Sequence, residues 1–128
     1  MARVQVSSSE KYIQQIEARQ HRLGADEGTN LGGSDSGPNP YELLLSGLGA
    51  CTSITLRMYA ERKGWELGEI QVGLHFYRDD DGKEHIDRTL TCSGDLTDEQ
   101  RQRLLEIAAK TPVTNTVRQG TPIATEWK

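Results

Sequence analysis

The sequence predicts an α+β domain in which an antiparallel sheet packs on a buried central helix. Three observations lead to this prediction. The longest apolar stretch, residues 37–60, opens with a helix-start signal. Segments on both sides of it alternate apolar and polar residues, as strands do, and a later capping motif marks another helix. The predicted order is strands, buried helix, strands, helix, strand.

Length and composition fit one domain over residues 1–128. Hydrophobic residues make up 34% of the chain and aromatic residues 5%, so a lone monomer would have a thin core. Burial against a second copy would enlarge that core. The composition therefore favours an oligomer.

Charge and apolar patterning exclude several classes of function. Lys and Arg total 15 against 19 Asp and Glu, without a basic cluster, which disfavours binding to nucleic acid. Residues 1–10 lack the apolar core of a signal peptide, and no run approaches the length of a membrane span. We therefore expect a soluble cytoplasmic protein that binds neither nucleic acid nor membrane.

The N-terminal part is predicted to hold two strands and a loop. Alternation over residues 3–6 and the apolar positions Ile13 and Ile16 predict the strands, with residues 7–10 as the turn. Composition then shifts to Gly, Asp, Ser and Asn between Gln20 and Ser36. This predicts a loop of roughly 15 residues, a length that is usually functional or disordered.

The central helix has a start signal with a physical basis. Asn39 can cap free backbone N–H groups, Pro40 suits the first helical position, and Glu42 stands where a capping box places a carboxylate. Small residues then favour two helical segments joined near 47–49, with Cys51 in the first turn of the second. Apolar residues around most of its circumference predict burial: Leu48, Ile54, Leu56, Met58, Tyr59 and Ala60.

The C-terminal part is predicted to hold a hairpin, two helices and a last strand. Residues 69–77 alternate, residues 79–82 form a turn, and the returning strand places Ile86, Leu90 and Cys92 on one face. Arg88 shares that face and breaks its apolar character. Thr97 to Gln100 is a capping box for a helix through Ala108; a short helix follows from Thr111-Pro112, and residues 121–127 form the last strand.

Cys51 is the first candidate for chemistry. Two cysteines without metal-type spacing are read as thiols in a reducing cytosol. A thiolate near a helix N-terminus is stabilised by the local positive potential and attacks peroxides or disulfides. The alternative is that Cys51 only fills space, as buried free cysteines often do.

A thiolate near Glu42 would need a cation, because a neighbouring carboxylate disfavours the charged sulfur. Glu42 also has a sufficient structural role in the capping box. Arg22 is singled out as the cation because its loop could fold over the helix start. The other candidates are Arg19, Arg57, Arg88 and Arg118.

Cys92 has the parity of Ile86 and Leu90 and is predicted to point inward. It either fills space or faces the central helix and closes a disulfide with Cys51. The histidines lack metal spacing, and residues 79–82 lack the later glutamate of a calcium loop. We therefore assign no metal and no cofactor.

Several motifs together resemble the OsmC/Ohr superfamily, in particular its small OsmC-like branch. They are Gly37 to Leu45, Gly49 to Thr52, Arg57 to Ala60 with Arg62 to Trp65, Gly94 to Leu96, Leu104 to Ala108 and Pro112-Val113. The resemblance implies an intertwined homodimer, with each central helix wrapped by sheet from both chains. It also implies reduction of organic hydroperoxides by a cysteine, as part of an oxidative stress response.

The resemblance assigns roles to individual residues. Cys51 matches the peroxidatic position, which becomes a sulfenic acid and is reduced in the end by a dithiol. Tyr41, Leu45 and Thr111 are expected to line the substrate pocket, whereas Glu42 and Arg22 are placed beside the thiol by the charge argument above and not by the resemblance. In the Ohr branch a glutamate stands at the position of Tyr41, and the arginine that orients the peroxide has no secure match here.

Thr111 is the main departure from the family pattern, because the usual resolving cysteine precedes the Pro-Val of the late helix. Three mechanisms follow. Cys51 acts alone with an external thiol, Cys92 takes over as the resolving thiol, or the site has lost turnover. The main hypothesis is a thiol-dependent hydroperoxide reductase, and the alternative is a weak or inactive dimer that binds a small apolar ligand in its cleft.

Overall fold

A computed structural model describes residues 1–128 as two compact units, Met1–Leu44 and Leu45–Lys128. The boundary falls inside the long helix α1 (Pro40–Lys63). Each unit contains its own antiparallel sheet, the second one together with helices, and the two are described separately below. One domain over the whole chain stays a prediction.

The first unit contains three antiparallel strands, β1 (Gln5–Glu10), β2 (Ile13–Ala18) and β3 (His21–Ala25), in the order β1-β2-β3. The two predicted strands are confirmed. The predicted turn over residues 7–10 is wrong, because these residues belong to β1, in which Ser7 and Glu10 pair with residues of β2. The chain turns instead at Lys11, which has a φ of 51°.

Strand β3 lies inside the stretch that was predicted to be a loop. Leu23 stands opposite Ile16 in the register with β2, so backbone pairing overrides the polar composition of the segment. The loop prediction is therefore wrong for His21–Ala25. It holds for the remainder up to Ser36, apart from a short 3-10 helix at Thr29–Leu31.

The rest of this loop is organised around Asp26, which is only 2% exposed. Its Oδ1 accepts a hydrogen bond from the Glu27 N–H at 2.8 Å. Its Oδ2 accepts from the N–H groups of Ser34 at 3.2 Å and Ser36 at 3.1 Å, and from Ser36 Oγ at 2.8 Å. These bonds, with the Ser36 N–H foremost, lower the pKa of Asp26. A buried carboxylate thus fixes the loop from within.

Helix α1 is continuous, so the predicted break at residues 47–49 is wrong. The predicted cap is present: the Asn39 N–H donates to Glu42 Oε1, and the Glu42 N–H donates to Asn39 Oδ1, both at 2.8 Å. A Cβ at Gly49 would stand 2.8 Å from Leu74 Cδ1. Close packing of strand and helix therefore explains why position 49 is a glycine, and this glycine does not interrupt the helix.

By length and composition, α1 is long and apolar enough to cross a membrane, which the sequence analysis did not anticipate. This is weak evidence, because the core helix of a soluble protein passes the same test. Leu56 and Ala60 of α1 are buried in the core of the second unit.

The second unit contains the predicted hairpin, β4 (Ile70–Arg78) paired with β5 (Glu84–Cys92), and the two predicted helices, α2 (Asp98–Ala108) and α3 (Pro112–Gln119). The capping box of Thr97 and Gln100 is present. Residues 121–128 form no regular element, so the predicted last strand is wrong; no strand of the chain pairs with them. The core consists of Leu56, Ala60, Leu67, Leu104 and Ala108.

The expectation that α1 is covered on several sides is wrong for a single chain. Leu48 and Leu56 are buried, but Ile54 is 56% and Met58 is 58% exposed. The sheet and helices of one chain cover one face of α1 and leave an apolar face open.

Candidate active site

Cys51 lies in the middle of α1 and is a partly buried free thiol. Because the helix begins at Pro40, Cys51 has no helix N-terminus beside it, and the predicted stabilisation by the helix dipole does not apply. The dipole effect is confined to the first and last turns of a helix.

Arg88 is a cation that the fold bonds to Thr52, the residue that follows Cys51 on α1. In the register of the hairpin Arg88 stands opposite Leu74, on the face of β5 that meets α1. Its Nη1 donates to Thr52 Oγ1 at 2.9 Å and to Thr114 Oγ1 at 2.8 Å. Its Nη2 donates to the Ala108 carbonyl oxygen at 2.8 Å. One side chain thus joins β5 to α1, α2 and α3.

Arg88 and three threonines form what we call the Arg88 cluster: Arg88 donates to Thr52 and Thr114, and Thr111 bonds to Thr114. All three threonines are buried, and Thr111 is only 1% exposed. Thr52 Oγ1 donates to the Leu48 carbonyl at 2.7 Å, which leaves its lone pairs for Arg88. Thr111 Oγ1 and Thr114 Oγ1 share a hydrogen bond of 2.6 Å.

The electrostatics of Arg88 reflect its neighbours. Burial lowers the pKa of Arg88 most, the positive charge of Arg118 lowers it further, and the negative charge of a Cys51 thiolate raises it. An arginine in a protein nonetheless remains protonated. None of the ion pairs in the chain includes Arg88: they are Glu17 with Arg22, Arg78 with Glu84, Asp79 with His85, and Arg103 with Glu106.

Sequence reasoning named Arg88 only as one candidate among five and preferred Arg22. The signal that could have found it was its place on the apolar face of β5, among Ile86 and Leu90. A charged residue at such a position needs polar partners inside the fold. Those partners come from distant parts of the chain, so the sequence did not show them.

Arg22 and Glu42 both lie in the first unit. Arg22 is on β3, where its side chain is 85% exposed and its Nε lies 3.8 Å from Glu17 Oε1. Glu42 forms the helix cap described above. That these two residues act beside Cys51 stays a prediction.

The three residues predicted to line a substrate pocket lie in different environments. Tyr41 is exposed near the start of α1, Leu45 is partly buried, and Thr111 is buried in the Arg88 cluster as the N-cap residue of α3. Their contact with a substrate stays a prediction.

Cys92 is the second free thiol and packs against the core of the second unit. It stands opposite Ile70 at the end of β5. Arg88 is four residues earlier on the same strand, which corresponds to about 13 Å along it. Cys92 also borders an apolar cavity of about 200 Å³ with Leu56, Leu90 and Leu104. Its role as a resolving thiol stays a prediction.

No group of three or more His, Cys, Asp or Glu side chains is arranged to hold a metal ion. The site offers a thiol, a guanidinium and three hydroxyls. This set suits chemistry at sulfur.

Comparison with known proteins identifies the fold. An OsmC-like protein from Mycoplasma pneumoniae is 17% identical with a TM-score of 0.79, covering 92% of this chain and 87% of that one. The organic hydroperoxide resistance protein OsmC from Legionella pneumophila is 18% identical with a TM-score of 0.68, covering 92% and 89%. The organic hydroperoxide resistance protein OhrB of Bacillus subtilis is 24% identical with a TM-score of 0.63, covering 92% and 90%.

These likenesses confirm the predicted α+β fold with antiparallel sheets and a central helix. No curated protein sequence matches the chain. The family model described as OsmC-like protein matches residues 33–126, which is well over half of the chain. The resemblance seen in the sequence is thereby confirmed, and the chain belongs to the OsmC-like protein family.

Proposed function

We propose that this protein reduces organic hydroperoxides with a thiol reductant and that Cys51 is its peroxidatic residue. The observation that carries the proposal is the free, partly buried Cys51 within the motif of an OsmC-like chain. Organic hydroperoxide resistance proteins with the same fold support a redox role in peroxide stress.

The chemistry requires a thiolate at Cys51. The sulfur attacks the distal oxygen of the hydroperoxide, so that an S–O bond forms while the O–O bond breaks. The leaving alkoxide takes up a proton and departs as an alcohol, and Cys51 becomes a sulfenic acid. In this step the peroxide is reduced by two electrons and the sulfur is oxidised by two.

An external dithiol closes the cycle. Its first thiol attacks the sulfenic sulfur, water leaves, and a mixed disulfide forms. Its second thiol then attacks the mixed disulfide, which releases Cys51 as a thiol and the reductant as an internal disulfide. This route needs no second cysteine in the chain, which suits the threonine at position 111.

Activity assays on three proteins test this proposal. Cumene hydroperoxide consumption with dithiothreitol should be catalysed by wild type and by Cys92→Ser, and should fall to the uncatalysed rate in Cys51→Ser. A wild type no faster than Cys51→Ser would contradict the proposal. A loss of turnover in Cys92→Ser alone would instead assign resolution to Cys92.

Mass spectrometry distinguishes the two modes of resolution. After one equivalent of peroxide, a Cys51 that acts alone should gain an oxygen atom or form a mixed disulfide with the added reductant. A chain that has lost two hydrogens would show that Cys51 and Cys92 are joined. We expect the first result, because Cys92 packs against the core of the second unit and borders a cavity that Cys51 does not line.

A second candidate function is the binding of a small apolar ligand without turnover. The observation that favours it is the apolar cavity of about 200 Å³ beside Cys92. Ligand pockets usually have volumes of about 300–1,000 Å³, so the cavity is small for this purpose. Saturable binding of a fluorescent fatty acid, together with no peroxide turnover, would support this alternative.

We further propose that the protein works as a cytoplasmic homodimer. The open apolar face of α1, with Ile54 at 56% and Met58 at 58% exposure, suits burial against a second copy. Light scattering after gel filtration should give twice the mass of the 14.2 kDa chain. A monomer at micromolar concentration would contradict this part of the proposal.

A further inference from the structure

The apolar cavity of about 200 Å³ in the second unit lies between helix α1, the β4–β5 hairpin and helix α2. Six of the residues that line it are apolar and at least partly buried: Leu56, Ile70, Leu90, Cys92, Leu96 and Leu104. Protein cores have few voids larger than a water molecule, and an empty cavity costs more stability as its volume grows. A cavity of this size beside the core is therefore a candidate ligand site.

Arg101 is the one charged residue that lines this cavity. It precedes Leu104 and Leu105 on α2 by three and four residues, so the three side chains share one face of the helix. Arg101 and Leu105 are exposed, so the cavity reaches the surface beside them. Arg101 takes part in none of the ion pairs of the chain. Its guanidinium is thus placed to bind an anion from outside the chain.

The volume of the cavity limits the size of the ligand. A cavity of about 150 Å³ lined by Leu, Ile and Phe side chains is large enough to bind benzene. A cavity of about 200 Å³ therefore suits a compact apolar group of about six to eight carbon atoms. Pockets for drug-sized ligands are larger, about 300–1,000 Å³.

We propose that this cavity binds a small monocarboxylate, with the apolar body of the ligand among the leucines and its carboxylate on Arg101. Hexanoate and benzoate have the required size and charge. The inference names a ligand class for the cavity on which the second candidate function rests. It requires no loss of turnover, because Cys51 does not line the cavity.

Alkylation of Cys92 measures occupancy of the cavity, because this thiol borders the space that the ligand fills. In Cys51→Ser, the rate with N-ethylmaleimide is followed at increasing hexanoate, with the ionic strength held constant by NaCl. Hexanoate should slow the reaction in a saturable manner. Hexylammonium has the same chain and the opposite charge, and it should protect Cys92 only at much higher concentration.

A matched pair of variants tests the role of Arg101. Arg101→Gln should raise the hexanoate concentration for half protection about fivefold, the effect of one partly exposed ion pair. Arg62→Gln removes the same charge from an exposed position at the end of α1 that does not line the cavity, and it should change nothing. Equal half-protection concentrations in Arg101→Gln and its parent would overturn the assignment of the carboxylate to Arg101.

A series of carboxylates tests the role of the apolar cavity without any variant. From acetate to hexanoate the affinity should rise by up to about fourfold per added methylene, because each one is removed from water. The rise should level off beyond the chain length that the cavity accommodates. Equal affinities for acetate and hexanoate would show binding at the surface alone and would contradict the inference.

NMR signals of the leucine methyl groups locate the ligand. Saturating hexanoate should shift the signals of Leu90 and Leu104 and leave that of Leu23, in the first unit, unchanged. No shift and no protection of Cys92 would overturn the inference and would assign the cavity to loose packing or to the contact with a second copy. These experiments use Cys51→Ser and no peroxide, so their failure would leave the proposed reduction of hydroperoxides standing.

Discussion

Asp26 and Arg88 are two charged residues drawn into the protein, and their surroundings differ in kind. Asp26 accepts four hydrogen bonds from its own loop, which engage both of its oxygens. Arg88 donates to three neutral oxygens and keeps further donors without an acceptor. A charge whose bonding capacity is filled by its own loop serves structure. A charge whose acceptors come from three helices joins distant parts of the fold.

The two sites also differ in the reach of their contacts. The partners of Asp26 lie within ten residues of it. Those of Arg88 are 20 to 36 residues away. Asp26 therefore orders one loop, whereas Arg88 depends on the assembly of the whole second unit.

The largest loss of stability is expected from Asp26→Asn. An amide cannot accept hydrogen bonds with both terminal atoms, so at least one backbone N–H of the loop loses its acceptor. The midpoint of urea unfolding at pH 7 should fall further than for any variant below. Asp35→Asn is the matched control, since Asp35 is exposed in the same loop and asparagine tolerates its φ of 53°. Equal midpoints for Asp26→Asn and wild type would show that the loop does not depend on the charge.

Acid should remove the same contribution gradually. The pKa of Asp26 in the folded state lies below its ordinary value of 3.8. Its contribution is therefore full above about pH 4 and is lost as the pH falls through the folded-state pKa. The urea midpoint should decline more steeply below about pH 4 in wild type than in Asp26→Asn. The pKa of Asp79 is also lowered, foremost by its bond with His85. Asp79 therefore makes wild type and Asp26→Asn alike lose stability as the pH falls, and only the difference between the two curves reports on Asp26. Parallel curves would contradict the assignment.

Arg88→Met should cost less, about 1–3 kcal/mol in the free energy of unfolding, because it leaves neutral acceptors without a donor. Urea unfolding measures this loss. Arg118→Met is the control: Arg118 is exposed on α3, and its replacement should change stability by less than about 0.5 kcal/mol. A cost for Arg88→Met equal to that of Asp26→Asn would remove the contrast between the two sites.

Arg22→Ala should have the smallest effect on stability, about 0–0.5 kcal/mol, because its ion pair with Glu17 is exposed. The same variant tests whether Arg22 takes part in turnover. An unchanged rate of peroxide consumption would exclude Arg22 as a cation that turnover requires. A large drop in that rate without loss of stability would assign the role to Arg22.

Local signals in the sequence predicted much of the secondary structure correctly. The cap of α1 by Asn39 and Glu42, the capping box of α2 and the β4–β5 hairpin are all present. Each depends on residues that are close in sequence, so alternation and capping rules are sufficient to find them. The family motif around Cys51 was equally visible.

Long-range packing decided what the sequence did not show. Gly49 continues α1 because a neighbouring strand brings Leu74 against it, and β3 forms because β2 offers a partner. The environment of Arg88 depends on long-range packing as well. This arginine lies on an apolar strand face, and its acceptors come from three helices. By itself the sequence determined the local elements, the family and the thiol. Tertiary structure alone decided where Arg88 finds its acceptors, because its bonds to Thr52, Ala108 and Thr114 join residues far apart in the chain.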